Sequence, residues 1–291
     1  MGSTTFIYKQ ACGCDIPAEV WDPQPAAKNK PVLCWVHGGA LVSGSRMGVN
    51  PQLMDAALAA GAVVVSIDYR LCPETLLPEL VADVVDAFAW IRAEGPALFG
   101  ADGENIIAAG SSAGGYLCLT LGYLVQPPIR GVISFYGYGD LVTAEMGDPA
   151  FTWVGASPYP RHAGAPGDTW EQALAEVSGP PITDSSERES FGGWYRWTRR
   201  HGTWTIGVSG GWDPKTEPEK FRPYMAEANI GSAFPPTILV GLLLFLVPPS
   251  CLLPYTSLPF VLPPSPTCPP ALSSLLLPCS FPELATTLFP R

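Results

Sequence analysis

The chain contains few charged residues, and its Lys and Arg do not form a basic cluster. Lys and Arg total 16 and Asp and Glu total 26 in 291 residues, so charged side chains make up 14% of the chain and the net charge is −10. In soluble domains charged residues usually make up about a quarter of the chain. Because binding to nucleic acid or to anionic membranes relies on clustered Lys and Arg, we exclude both as partners.

Long apolar runs are also absent. The longest, residues 237–247, ends at Pro248, whereas a membrane helix needs about 20 apolar residues, so we expect no membrane span. The N-terminus lacks a basic segment followed by an apolar run, and the eight cysteines are scattered without metal-ligand spacing. We therefore expect a cytoplasmic protein with reduced thiols. The oligomeric state is not indicated.

The composition changes near residue 240. Residues 241–291 contain only two charged residues, Glu283 and Arg291, and neither His nor Asp. Pro, Leu, Ser and Phe account for 36 of these 51 residues. Because proline interrupts helices and is excluded from central strands, we expect this tail to form neither a membrane helix nor a sheet.

The first 140 residues alternate between two kinds of pattern. Residues 31–37, 62–68, 105–109 and 130–136 are largely apolar runs, typical of strands buried on both faces of a parallel sheet. Helical patterns lie between them at 51–60, at 80–91 and at 113–125. This alternation predicts an α/β fold. Segments 6–9 and 16–21 are candidates for antiparallel edge strands.

Residues 141–234 lose this alternation and are rich in aromatic residues. We predict a cap inserted over a sheet edge, because so many aromatic side chains need an apolar surface to cover. The alternative is an irregular surface insertion.

A Gly-Ser-rich motif, Gly110-Ser111-Ser112-Ala113-Gly114, joins a predicted strand to a predicted helix, which is the context of a nucleophile elbow. The turn is so tight that Gly110 and Gly114 are needed, since a Cβ there would clash. Ser112 then presents its hydroxyl at a helix N-terminus, where the dipole favours negative charge. We predict that Ser112 is a catalytic nucleophile; the alternative is a simple Gly/Ser-rich turn.

A second motif, His37-Gly38-Gly39-Ala40, ends the first predicted buried strand. Acyl transfer passes through an oxyanion that needs backbone N–H donors about 3 Å away, and glycine lets the backbone approach that closely. We predict an oxyanion hole formed by Gly38, Gly39, Ala40 and Ala113. His37 is interpreted as a support of this loop rather than a general base.

Polar residues also follow the second predicted strand. Asp68, Arg70 and Glu74 lie within seven residues of one another and predict an ion-paired brace of that loop.

Taken in order, His37-Gly38-Gly39, Asp68-Tyr69-Arg70-Leu71 and Gly110-x-Ser112-x-Gly114-Gly115 resemble the hormone-sensitive-lipase-like family of α/β-hydrolases, over roughly residues 5–240. The resemblance implies a mostly parallel sheet with helices on both faces and an inserted cap. It divides the chain into a core at 1–140, a cap at 141–234, a last recognisable core strand at 235–240, and an aberrant or disordered tail at 241–291. It also implies a serine carboxylesterase or lipase that acts on a small-molecule ester without cofactor or metal.

The family's pattern is incomplete at its C-terminal end. The resemblance implies a triad Asp and His after the strand at 235–240, and the sequence has neither there. We expect the C-terminal strands and helix of the fold to be lost or replaced, which would leave one sheet edge and one core face open. His201, backed by Asp213 or Glu217, is an alternative base that reverses the usual order.

The tail composition suggests a cause for this loss. We interpret residues 241–291 as translated noncoding sequence, with a true product that continues from Val240 to the family's Asp and His; the alternative is a genuine Pro-rich linker. The predicted function is hydrolysis of short-chain or aryl esters, impaired in the chain as written. The alternatives are a non-catalytic small-molecule binder of the same fold and an inactive truncated product.

Overall fold

The computed structural model describes residues 2–141, 169–185, 193–241 and 259–262. Eight strands in these ranges form one sheet in the order β1-β2-β4-β3-β5-β6-β7-β8. Neighbours among β4, β3, β5, β6 and β7 are parallel, while β1, β2 and β8 are antiparallel to their neighbours. The strands are β1 (Thr4–Ala11), β2 (Cys14–Trp21), β3 (Lys30–Val36), β4 (Val63–Ile67), β5 (Ala101–Ser111), β6 (Gly131–Phe135), β7 (Thr237–Val240) and β8 (Pro259–Leu262).

Three helices connect the parallel strands. They are α1 (Pro51–Ala59), α2 (Leu77–Phe99) and α3 (Ala113–Leu124). Further helices lie in the region predicted as a cap: α4 (Trp170–Glu176), α5 (Gly193–His201), α6 (Trp204–Ser209), α7 (Pro218–Phe221), a 3₁₀ turn (Arg222–Tyr224) and α8 (Ala226–Asn229). Asn50 caps the N-terminus of α1, because its side chain accepts a hydrogen bond from the Leu53 N–H at 2.9 Å.

The central strands are buried on both faces, and alternate residues of β3 belong to different cores. Val32, Cys34 and Val36 pack in the cluster that contains α2 and α3, whereas Leu33 and Trp35 pack in the cluster that contains α1. Each strand residue therefore contacts an apolar layer whichever way it points, which explains the continuous apolar runs of the sequence. The α/β prediction, with helices on both faces, is confirmed.

The prediction for the tail is wrong in one respect. Residues 259–262 form a strand that pairs antiparallel with β7 and extends the sheet. The proline that begins this strand is tolerated because it lies at the first position of an edge strand. The face expected to lie open is also covered, since Ile133, Ile238 and Val240 are each at most 8% exposed. The rest of the tail, 242–258 and 263–291, lies outside the described residues, and the proposed division of the chain at 140, 234 and 240 stays a prediction.

The strand order has a topological switch point between β3 and β5. After β3 the chain forms β4, which pairs with one edge of β3. The next strand, β5, pairs with the opposite edge of β3. In open α/β sheets ligands bind at such a switch point, outside the carboxyl ends of the strands. Here those ends carry His37-Gly38-Gly39-Ala40 after β3 and Ser112 after β5.

Candidate active site

Ser112 lies at the turn between β5 and α3. Its backbone has φ 53° and ψ −118°, a region that residues other than glycine occupy only under strain. Two hydrogen bonds hold this conformation: the Ser112 N–H donates to the Phe135 carbonyl at 2.8 Å, and the Ser112 carbonyl accepts from the Tyr116 N–H at 3.0 Å. Ser112 is partly exposed at the carboxyl edge of the sheet. The turn therefore places Ser112 where a small molecule can approach it from solvent.

The glycines on either side of Ser112 permit the close approach of β3. A Cβ on Gly110 would lie 2.6 Å from the Val36 carbonyl oxygen, and a Cβ on Gly114 would lie 2.6 Å from the His37 carbonyl oxygen. Both distances are shorter than real carbon–oxygen contacts, and the neighbouring atoms belong to the backbone. The elbow and the end of β3 are thus packed with no room for a side chain at either glycine.

The loop after β3 runs beside the elbow. A Cβ on Gly38 would lie 3.4 Å from the Ser112 Cβ. Gly39 and Ala40 have φ values of 115° and 54°, and this left-handed backbone curls the loop so that the Gly39 carbonyl accepts the N–H of Ser43 at 3.0 Å. The three residues 38–40 are partly exposed. The structure therefore brings the 38–40 backbone and Ser112 together at one surface.

Ala113 adds a second source of backbone donors. It is the first residue of α3, and the N–H groups of a first helical turn have no partner inside the helix. Amides at a helix N-terminus carry partial positive charge and suit a developing oxyanion. Two segments, 38–40 and 113, thus supply the kind of groups that acyl transfer requires next to Ser112.

His37 is buried beneath this loop. Its ring stacks on Tyr69 with centroids 4.3 Å apart, and its Nδ1 lies 2.7 Å from the Gly38 carbonyl oxygen. Burial lowers the pKa of His37 to about 4, so the ring is neutral at pH 7, and Nδ1 carries the proton because a carbonyl only accepts. The Tyr69 hydroxyl in turn donates to the His37 carbonyl at 3.0 Å. These contacts hold the loop from within and fit a supporting role.

Asp68 is fully buried and binds the far end of the same loop. Its carboxylate accepts the Arg46 N–H at 2.5 Å and lies 2.7 Å from Arg46 Nη1. Burial raises the pKa of Asp68 to about 6, although the Arg46 guanidinium acts in the opposite direction. Arg46 also reaches the buried Glu19 carboxylate at 3.3 Å. Asp68 therefore anchors the segment that follows the glycine loop.

Arg70 is fastened to α2 by a two-pronged ion pair. Its Nε and Nη2 atoms each lie 2.7 Å from an oxygen of Asp83, and Lys9 Nζ lies 2.7 Å from the same carboxylate. Glu74 is partly buried in the turn that precedes α2. The sequence predicted a brace in this loop but missed both external partners, Arg46 and Asp83. A signal for Asp83 existed, because it lies on the apolar face of α2 between Leu80 and Val84.

The alternative base, His201, lies on α5 and is exposed. Its Nδ1 is 2.8 Å from the Trp197 carbonyl, and its ring stacks on Trp197 with centroids 4.0 Å apart. Asp213 accepts the Lys215 N–H at 2.8 Å, and Glu217 pairs with Lys220. None of these contacts joins His201 to either acid or to Ser112. The third histidine, His162, lies outside the described residues.

Part of the predicted cap docks directly on the core. Trp204, on α6, is buried and meets Tyr138 edge to face with centroids 6.4 Å apart. Tyr138 in turn stacks on Tyr116 of α3 at 5.1 Å. The Ile182 carbonyl accepts the Leu71 N–H at 2.8 Å. Aromatic residues of this region thus cover an apolar surface beside the start of α3.

The described ranges also bear on metal binding and on membrane insertion. No three side chains of His, Cys, Asp or Glu converge there as a metal ion would need. None of the helices in those ranges combines the length and apolar character that crossing a bilayer requires.

Comparison with curated proteins finds non-reducing polyketide synthases. Non-reducing polyketide synthase adrD of Penicillium roqueforti is 31% identical over 214 residues, which is 67% of this chain and 8% of that protein. Non-reducing polyketide synthase ausA of Penicillium brasilianum is 36% identical over 167 residues, 52% of this chain and 7% of that protein. The chain thus spans about 8% of the length of the curated relatives it matches.

Comparison with solved structures agrees with the fold. A protein of unknown function from Staphylococcus aureus subsp. aureus Mu50 has 22% identity and a TM-score of 0.59, with 81% of this chain and 77% of that chain covered. An esterase from Thermogutta terrifontis has 21% identity and a TM-score of 0.51, with 82% and 69% covered. The family described as the alpha/beta hydrolase fold matches residues 33–162, which contain both the glycine loop and the elbow. With its sheet order and this match, the chain has the α/β-hydrolase fold, and the family match covers residues 33–162.

Proposed function

We propose that the chain is an ester hydrolase of short-chain or aryl esters in which Ser112 is the nucleophile. The family match supports a hydrolase. The assignment of Ser112 as the nucleophile rests on its strained backbone and on its closeness to the glycine loop. A Cβ placed on Gly38 would lie 3.4 Å from the Ser112 Cβ. The cytoplasmic location and the small-molecule ester as partner are part of the same proposal.

The reaction follows from this geometry. The Ser112 Oγ attacks the ester carbonyl carbon, and the carbonyl oxygen becomes an oxyanion that accepts N–H groups from the 38–40 loop and from Ala113. The bond to the alcohol oxygen then breaks, the alcohol leaves with a proton, and the acyl group remains on Ser112 until water hydrolyses it. His37 holds the loop, and Asp68 and Arg70 hold the segments behind it.

The proton of Ser112 needs a base, and the described contacts do not provide one. Hydrolases that lose a triad member keep about 10³- to 10⁴-fold catalysis over water from the oxyanion hole and binding alone. We therefore propose slow turnover for the chain as written. The oxyanion site makes Ser112 more reactive than an ordinary surface serine, even without a base.

The test uses the full 291-residue chain and a matched pair of serines. Ser111 and Ser112 are adjacent and both partly exposed, so Ser111→Ala controls for the loss of a hydroxyl in the same turn. We expect a fluorophosphonate to label the wild-type protein and Ser111→Ala, with the label mapped to Ser112 by mass spectrometry, and to leave Ser112→Ala unlabelled. Hydrolysis of p-nitrophenyl acetate should show the same order. Equal labelling of Ser112→Ala and wild type would remove Ser112 from the mechanism.

A thioester is a second candidate substrate, favoured by the curated relatives. These relatives are polyketide synthases, and one of them, adrD of Penicillium roqueforti, is 31% identical over 67% of this chain. Polyketide chains are built and carried as thioesters, and attack by Ser112 on a thioester uses the same oxyanion site with a thiolate as leaving group. We test this with the acetyl thioester of N-acetylcysteamine beside p-nitrophenyl acetate. Faster Ser112-dependent release of the thiol than of p-nitrophenol favours the thioester; the reverse favours the oxygen ester.

A further inference from the structure

Tyr136 combines a strained backbone with an exposed aromatic ring. It directly follows β6, its φ is 43°, and it is 50% exposed. A tyrosine in this left-handed region is uncommon, because its Cβ crowds the following carbonyl. Such strain persists only where the surroundings impose it, and it clusters at binding and catalytic sites.

The surroundings of Tyr136 do impose this conformation. On one side, the Phe135 carbonyl accepts the Ser112 N–H at 2.8 Å; on the other, the Tyr136 N–H donates to the Val240 carbonyl at 2.6 Å. The next residue, Gly137, is packed so tightly that a Cβ there would lie 2.6 Å from the Tyr116 amide nitrogen. The backbone is therefore held before, at and after Tyr136, and the strain cannot be released by a local shift.

This arrangement places Tyr136 beside the proposed nucleophile. The carbonyl that holds the Ser112 N–H belongs to the peptide bond whose nitrogen is that of Tyr136. Both residues follow parallel neighbouring strands, β5 and β6, so they lie on the same carboxyl edge of the sheet. The buried Phe135 packs within the core, whereas the tyrosine ring is half in solvent. The fold thus keeps a residue with a strained backbone and a half-exposed aromatic ring on the same sheet edge as Ser112.

We propose that Tyr136 is a specificity-determining residue, whose ring packs against the aryl group of an aryl ester held at Ser112. This proposal rests on the proposed function, because it takes Ser112 as the place where the acyl group is held. Aromatic pairs in offset or edge-to-face contact gain more than their buried area alone supplies. That gain corresponds to a preference of about three- to tenfold for an aromatic over a saturated ring of similar size.

The test measures binding of uncleaved analogues, so it does not depend on the nucleophile. The probes are acetanilide, an amide analogue of phenyl acetate, and N-cyclohexylacetamide, which differs from it only in having a saturated ring. Dissociation constants are measured by NMR titration of the full chain. Tyr136→Gly removes the ring and suits the positive φ, so the fold should tolerate it. Tyr136→Phe keeps the ring. Leu98→Ala is the control, since Leu98 is 46% exposed and lies just before β5 begins, at the opposite edge of the sheet.

We expect wild type, Tyr136→Phe and Leu98→Ala to prefer the anilide by at least threefold, and Tyr136→Gly to lose that preference. A preference that survives in Tyr136→Gly, or a wild-type protein that binds neither probe, overturns the proposal. Fluorophosphonate labelling of the same variants reports separately on Ser112. Labelling of Ser112 with no role for Tyr136 would leave the esterase proposal intact, whereas a Tyr136-dependent preference without labelling would indicate an aryl-binding site that does not hydrolyse.

Discussion

Ser185 and Gly44 exchange two hydrogen bonds although 141 residues of sequence separate them. The Gly44 N–H donates to the Ser185 hydroxyl at 2.9 Å, and the Ser185 N–H donates to the Gly44 carbonyl at 3.2 Å. Gly44 lies under the glycine loop, where a Cβ would meet the Gly38 carbonyl oxygen and the His37 ring, each at 2.5 Å. The pair therefore connects the predicted cap to the loop that borders Ser112.

Removal of the Ser185 hydroxyl should loosen this connection. In Ser185→Ala the Gly44 N–H loses its acceptor in a partly buried place, which should cost about 1 kcal/mol. Hydrogen–deuterium exchange, followed by mass spectrometry on peptides that contain residue 44, should then become about fivefold faster. Ser178→Ala is the matched control, because the Ser178 hydroxyl donates to the Leu174 carbonyl in its own segment. If both variants exchange alike at residue 44, the Ser185 contact does not hold the loop.

A methyl group on Gly114 should disrupt the elbow. In Gly114→Ala the new Cβ would overlap the carbonyl oxygens of Val36 and His37, and backbone of a central strand cannot move aside cheaply. We expect a loss of about 2 kcal/mol or more, at the upper end for overpacked sites. Urea unfolding measures this loss. Gly231→Ala is the control, because a Cβ at Gly231 meets no atom within 4 Å; an equal loss in both variants would contradict the packing argument.

The sequence predicted the parts of the fold whose signals are local. Strands such as β3 are buried on both faces, so they are continuous apolar runs, and the change from β5 to α3 is marked by the glycines around Ser112. The two antiparallel strands near one edge of the sheet, β1 at the edge and β2 beside it, were also placed correctly, although each is longer than the predicted segment.

The contacts that join distant segments had no such signal. Nothing near Ser185 indicates Gly44 as its partner, and nothing near Arg46 indicates Asp68, because a hydrogen bond between remote residues leaves no spacing to detect. The strand at 259–262 was missed because a local signal pointed the wrong way. Pro259 and the prolines that flank this segment argue against a central strand, but a proline at the first position of an edge strand is tolerated. The strain at Tyr136 is also invisible in sequence, since it arises from Ser112 and Val240 on either side.

The ion pair between Arg70 and Asp83 should be costly to break from one side. Both side chains are buried, at 6% and 0% exposure, and Arg70→Met leaves the Asp83 carboxylate with Lys9 as its remaining cation. We expect a loss of about 3 kcal/mol in the free energy of unfolding. In the double variant Arg70→Met/Asp83→Leu the buried charge is gone, so part of the lost stability should be recovered. Chemical denaturation of the two single variants and the double variant gives the coupling; strictly additive losses would mean that the pair does not act as a unit.

Two buried groups should give opposite pH dependences of stability. Burial lowers the pKa of His37 from 6.5 to about 4, so between these values the unfolded chain binds more protons and the free energy of unfolding rises with pH. Burial raises the pKa of Asp68 from 3.8 to about 6, so there the folded chain binds more protons and the free energy of unfolding falls as pH rises. The two effects overlap between about pH 4 and 6 and should largely cancel in the wild-type protein.

Substitution of either group should make the pH dependence caused by the other group measurable. His37→Asn keeps an N–H donor for the Gly38 carbonyl but does not titrate, so its stability should fall as pH rises from about 4 to 6. In Asp68→Asn the free energy of unfolding should instead rise with pH, and this rise should continue to about pH 6.5. The wild-type free energy of unfolding minus that of His37→Asn should increase by about 3 kcal/mol from pH 4 to 6.5, at 1.36 kcal/mol for each unit of pKa difference. Urea unfolding at pH 4, 5, 6 and 7 measures both curves. Parallel curves for wild type and His37→Asn would show that the His37 ring carries no shifted pKa and is not buried as a neutral brace of the loop beside Ser112.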